Sequence, residues 1–114
     1  MKLLVSVTML LSLISLSANA KDNFDNSIGK PYSAVRASLI SEGWKTVKNK
    51  IIKNSSLYAQ TIFDQGYIEV LDCVSMERDQ CQFVLSNNKQ LILITTKEKA
   101  LNVESIKLRK RIIN

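Results

Sequence analysis

The sequence predicts an α+β domain in which an N-terminal helix packs on a mainly antiparallel sheet of three or four strands, stapled by one disulfide. Three observations carry this expectation. Tyr32, Val35 and Leu39 recur at helical spacing between Pro31 and Gly43. Three later stretches are rich in β-branched and apolar residues, and turns of hairpin length join them. Cys73 and Cys81 are the two cysteines of the chain.

Residues 1–20 read as an export signal. Lys2 supplies the positive start, Leu3 to Leu16 form an apolar run broken only by Ser and Thr, and Ala18-Asn19-Ala20 is a small-x-small cleavage site. The run is shorter than the ~20 apolar residues of a membrane span, and no Cys follows the cut to take a lipid anchor. Cleavage there leaves 94 of the 114 residues, enough for one domain. No transmembrane segment is expected in that mature chain. Residues 21–28 are polar and turn-prone, a flexible leader into a single domain over 29–114.

Pro31 suits a helix start, where its missing N–H costs nothing. Arg36, Ser38 and Glu42 fall mostly on the face opposite Tyr32, Val35 and Leu39, with Ile40 as a further candidate for the apolar stripe. Gly43 is placed to close the helix in a left-handed cap, and Trp44 can fold back on the stripe. Residues 45–53 read as a strand that alternates Val47, Asn49 and Ile51 with Lys48 and Lys50. Asn54-Ser55-Ser56 is a turn, and Leu57 to Phe63 fits either a short helix or an irregular segment.

From Tyr67 the chain turns to sheet. Tyr67 to Val74, Cys81 to Leu85, Gln90 to Thr96 and Val103 to Arg111 are the expected strands. Leu91-Ile92-Leu93-Ile94 is the most apolar of them and therefore central. Ser86 to Lys89 forms a hairpin turn, where Asn tolerates positive φ. Connections this short exclude an all-parallel sheet. In an oxidising compartment the isolated pair Cys73 and Cys81 is one disulfide, which constrains the unfolded chain by about 2.5 kcal/mol on the loop-entropy account. The spacing is not that of a thiol oxidoreductase, and the chain has no His to complete a zinc site.

The run Gly29-x2-Tyr32-x3-Arg36-x2-Leu39-x3-Gly43-Trp44, followed by a cysteine pair whose second member opens Cys81-x-Phe83, resembles small exported proteins of Gram-negative bacteria. Similar helix-on-sheet modules occur in periplasmic inhibitors and assembly factors. The resemblance spans about half of the mature chain. It implies the compartment and the fold and carries no active site, because each motif residue also has a packing role.

Enzymatic chemistry finds little here. With no His, triads and most zinc hydrolase sites are absent, and a bridged cysteine pair leaves no thiol nucleophile. Asp64, Glu69, Asp72, Glu77 and Asp79 cluster in sequence as a carboxylate pair would require. Solvated loop acids explain the cluster better in so small a domain, and it lacks the pattern of a calcium loop. No cofactor or metal is implied.

The mature chain keeps 15 of its 16 Lys and Arg against 10 Asp and Glu. Two basic groups stand out, Lys45, Lys48, Lys50 and Lys53, then Lys107, Arg109, Lys110 and Arg111. Either group could protect a sheet edge from aggregation or form a docking surface for an acidic protein or anionic polymer. Nucleic acid is disfavoured, because base stacking needs exposed aromatics beside the charge.

The sequence reading is thus a small exported protein, periplasmic or secreted, that binds without catalysis. Its most concrete version is a periplasmic inhibitor or immunity-type protein docking on an acidic partner, with Glu77, Arg78 and Asp79 at the tip of the disulfide loop as its first contact. The alternative is an envelope accessory protein that holds lipopolysaccharide or wall polymer through Lys107, Arg109, Lys110 and Arg111.

Overall fold

A computed structural model describes residues 24–75 and 79–110. The expected signal segment, leader residues 21–23, the loop residues Glu77 and Arg78, and Arg111 lie outside the described residues. The fold is α+β. Two helices, α1 (Tyr32–Ser41) and α2 (Leu57–Asp64), accompany a five-stranded antiparallel sheet of β1 (Lys45–Thr46), β2 (Val70–Val74), β3 (Gln80–Ser86), β4 (Gln90–Lys97) and β5 (Asn102–Lys110). The order is β1-β3-β4-β5, and β2 shares with β1 the edge of β3 that β4 leaves free.

Both helices end by the same device. Gly43 adopts φ +107°, the Trp44 N–H donates to the Leu39 carbonyl at 3.0 Å, and the Gly43 N–H donates to Ile40 at 3.1 Å. Gly66 repeats this after α2 with φ +111°, its N–H on Phe63 and the Tyr67 N–H on Ile62. The left-handed residue satisfies carbonyls that a helix end leaves orphaned, and the aromatic that follows is turned inward. Trp44 is buried as expected, and Phe24 packs edge-on against it at 6.5 Å. The leader is therefore structured from Phe24 onward, through a 3-10 turn at Asp25–Ser27. Pro31 sits one residue before α1 in extended conformation, and Ile40 is exposed and outside the apolar stripe.

The expected strand over 45–53 stops at Thr46. Beyond it Asn49 uses its side chain on the backbone: Nδ2 donates to the carbonyls of Val70 and Leu71, and Oδ1 accepts from Ile51 N–H. The pairing of β2 shifts register between Val70 and Asp72, a bulge that turns the Leu71 carbonyl toward Asn49 and Ser55. Segment 57–63 is a helix, α2. Ser56 caps it by accepting from Ala59 N–H, while the Ser56 N–H donates to Asp72. Two backbone N–H groups, from Ser56 and Cys73, hold the Asp72 carboxyl below the usual carboxylate range.

In the sheet, side chains alternate between two faces. Cys81, Phe83 and Leu85 of β3 and Ile92, Ile94 and Thr96 of β4 are buried on one face. They form one core with Tyr32, Val35 and Leu39 of α1, Ala59 and Ile62 of α2, and Val103 of β5. Both helices thus cover the same face. Cys73 and Cys81 stand directly opposite each other across β2 and β3 and are bonded, Sγ to Sγ 2.10 Å. The turn between β3 and β4 needs no left-handed Asn. Instead Asn87 Oδ1 accepts from Lys89 N–H at 3.1 Å and Gln90 N–H at 2.9 Å.

Replacing Cys73→Ala together with Cys81→Ala is expected to lower unfolding free energy by about 2.5 kcal/mol. Urea denaturation of the oxidised protein and the double variant measures it. An unchanged midpoint would mean that this bridge contributes no stability.

Candidate functional site

Two features of the molecule bear on function, a buried ionic cluster between helix and sheet and a basic surface at one end of the sheet. The first was not legible as such. Glu69, grouped in sequence with the loop acids, is 1 % exposed. It lies just before β2, and its carboxylate accepts from the Tyr32 hydroxyl at 2.6 Å and from two of the three guanidinium nitrogens of Arg36, Nε at 2.6 Å and Nη2 at 3.2 Å. Arg36 is not on a solvated face: its guanidinium also lies 5.3 Å from the centre of the Tyr67 ring.

The aromatic rings complete this assembly. Tyr32 stacks on Phe83 with centroids 3.9 Å apart, and Tyr67 meets Phe83 edge-on at 6.2 Å. A charge without water must be paired and hydrogen-bonded, and the bidentate guanidinium plus one hydroxyl does this for Glu69. The Tyr32 hydroxyl is pushed well above its ordinary value by burial first and the Glu69 charge second. Arg36 is held further up by its hydrogen bond to Glu69, against the cost of partial burial. Among the described residues no buried side-chain nitrogen or oxygen lacks a hydrogen-bond partner, so the cluster reads as an anchor for α1.

The basic surface follows from strand register. One row across the sheet runs Lys45, Ser86, Leu91, Arg109, and the next runs Val84, Leu93, Lys107. These rows lie on the face opposite the core, where Val84, Leu91 and Leu93 are half-buried and Lys45, Lys107 and Arg109 are exposed. Strands are ~4.8 Å apart, so Lys45 and Arg109 bracket the row at about 14 Å. None of the described helices covers that face, because both contribute to the core on the other side.

The expected basic strand is therefore split. Lys107 and Arg109 share the open face, whereas Lys110, opposite Gln90, alternates to the other. The structure adds Lys45 from the first basic group. Around the end of the sheet, Lys45, Lys89, Arg109 and Lys110 line an open concavity of about 820 Å³ with Leu108 at its apolar side. Lys48, Lys50 and Lys53 are exposed and do not line it.

Of the expected loop contacts, Asp79 is described. It is half-buried at φ +48°, at the opposite end of the sheet, and lines a smaller crevice of about 590 Å³ with Tyr58, Gln65 and Lys99. Burial first, then the Asp79 charge, raises the Tyr58 hydroxyl above its ordinary value. The acidic run 64–79 is not one surface, since Glu69 is in the core and Asp72 is tied to α2. Among the described residues no three His, Cys, Asp or Glu side chains gather as metal ligands would, and no helix is long and apolar enough to cross a membrane.

Comparison with protein-family models, with curated proteins and with solved structures finds no match to this chain.

Removing Arg36 strands a buried carboxylate, so Arg36→Ala is expected to cost ~3–5 kcal/mol in urea denaturation. A loss below about 1 kcal/mol, the scale of an exposed pair, would contradict the anchor. Tyr32 adds a pH dependence. Its folded pKa lies above its unfolded value of about 10, so its contribution is complete below that pH and falls as pH rises. Tyr32→Phe should flatten the loss of stability above about pH 10, leaving the part that comes from Tyr58. Identical slopes for the two proteins would count against this assignment.

Proposed function

We propose that this chain is an exported protein that binds without catalysis, docking on an acidic protein partner through the open face of its sheet. The observation that carries the reading is the pair of rows bearing Lys45, Arg109 and Lys107 around Val84, Leu91 and Leu93. An apolar centre with charges at its rim is how protein interfaces combine desolvation with register, and a partner with carboxylates around an apolar patch complements it. The exported location is supported by the signal-like residues 1–20 and by the Cys73–Cys81 bridge, which persists in oxidising compartments. The anchored helix and the bridge make the sheet a rigid platform, which loses little entropy on binding.

In this reading the first contact is the face carrying Lys107 and Arg109. The loop residues Glu77, Arg78 and Asp79 remain the comparison surface for the test.

The full chain, exported with its own signal and purified oxidised, is expected to capture one stoichiometric protein from an envelope extract at low salt. Charge reversal by Lys107→Glu with Arg109→Glu should weaken that complex about 10-fold or more and remove its salt dependence. Undiminished binding by this variant, with loss in Glu77→Ala plus Arg78→Ala, would place the docking surface at the loop instead. Capture of lipid or wall polymer alone, released at high salt, would establish the envelope-accessory role.

A further inference from the structure

We propose that the concavity at the β3–β4 turn is a binding site for a ligand that carries two or more phosphate groups close together. Four cations from three stretches of chain converge there: Lys45 after α1, Lys89 in the turn, and Arg109 with Lys110 at the end of β5. Among the described residues no Asp or Glu lines the space. The Arg36–Glu69 ion pair lies apart from it, in the core.

The arrangement is held by backbone and not by chance rotamers alone. Lys89 is presented by a turn whose Asn87 side chain binds the N–H groups of Lys89 and Gln90, and the Asn87 N–H donates to the Gln90 carbonyl at 2.9 Å. Arg109 stands opposite Leu91 and Lys110 opposite Gln90. Consecutive strand residues point to opposite faces, so these two cations reach around the end of the sheet from both sides. Lys45, paired with Ser86, stands on the same face as Arg109, at the other end of its row.

Four like charges around one opening repel one another, and an anion of matching charge density relieves all of them together. A phosphate group carries close to two charges and three acceptor oxygens, against one charge for a carboxylate. The Arg109 fork suits bidentate phosphate recognition, and lysines act on it as point charges. The size of the space is that of a small-ligand site, and Leu108 beside it favours a ligand with an apolar or sugar backbone between its phosphates. Such phosphates could belong to a lipid headgroup or to a soluble molecule.

This site shares Lys45 and Arg109 with the open face and is told apart from protein docking by the residues that differ. Lys89 and Lys110 belong to the concavity alone, Lys107 to the sheet face alone, and the experiment below contains no protein partner.

The full chain, exported and oxidised, is titrated with sodium tripolyphosphate, orthophosphate and citrate at about 0.15 M salt, with binding read by calorimetry and amide shifts. Tripolyphosphate is expected to bind at least about 10-fold tighter than citrate, with shifts centred on residues 43–45, 86–90 and 108–110. Lys89→Gln with Lys110→Gln should weaken it about 10-fold or more, while the equally charged control Lys50→Gln with Lys53→Gln retains the affinity of the parent. Equal affinity for citrate, shifts spread over all basic residues, or equal losses in both double variants would overturn the site.

Vesicles of phosphatidylglycerol with and without a bisphosphorylated glycolipid decide the source. Binding that needs the glycolipid and is competed by tripolyphosphate assigns a lipid headgroup. Tripolyphosphate binding with no preference for those vesicles assigns a soluble ligand.

Discussion

The Glu69 carboxylate is the constraint on which the rest of this structure depends. It is a charge placed where water does not reach, and only a partner brought to it from elsewhere in the chain makes that tolerable. Tyr32 and Arg36 are that partner, one turn apart on α1 and more than thirty residues away in sequence. Satisfying Glu69 therefore fixes where α1 lies on the sheet and how it is rotated. It also sets the ring of Tyr32 flat against Phe83 and the Arg36 guanidinium beside Tyr67. A hydrophobic helix face alone would tolerate small slips along the sheet; a bidentate pair plus a hydroxyl does not. Conformational specificity is the role we assign to this cluster.

With α1 fixed on one face and α2 tied to β2 through Ser56 and Asp72, the helical layer is confined to a single side. The other face keeps its polar and cationic rows, and the ends of the sheet acquire distinct chemistry. The disulfide and Asp79 lie at one end, and the turn with Lys89 at the other beside Arg109 and Lys110. The two ends thus differ in charge, with four cations around the Lys89 turn and Asp79 beside Lys99 at the other. Such separation orients an encounter with a charged partner, which is a kinetic and specificity advantage more than a source of affinity.

Much of this architecture was legible where the information is local. The stripe of Tyr32, Val35 and Leu39 with Gly43 behind it marked α1 and its cap, and alternation marked β3, β4 and β5 within a residue or two. The cysteine pair marked the bridge. Segment 57–63 stayed ambiguous because only Ala59 and Ile62 of α2 are buried, too few to establish a helical period; its cap and its ties to Asp72 are what hold it. The strand expected over 45–53 failed because Asn49 turns its side chain to the β2 bulge, a tertiary contact that alternation does not encode. Glu69 was misplaced for the same reason, although a Tyr and an Arg four residues apart on one helix was a signal that an acid could be shared between them. The basic surface was half visible. Alternation separates Lys110 from Lys107 and Arg109, but the convergence of Lys45 with Arg109 depends on which strands pair, and that is a property of register.

Both helices lie on one side of the sheet, and the function proposed for this protein has a partner meet the other side. Methyl resonances of the captured complex test this directly. Val84, Leu91 and Leu93 are predicted to shift or broaden when the partner is added, while Ile92, Ile94 and Val103 in the core stay unchanged. Unperturbed Val84, Leu91 and Leu93 in a saturated complex would contradict the claim that the open face is where this protein binds.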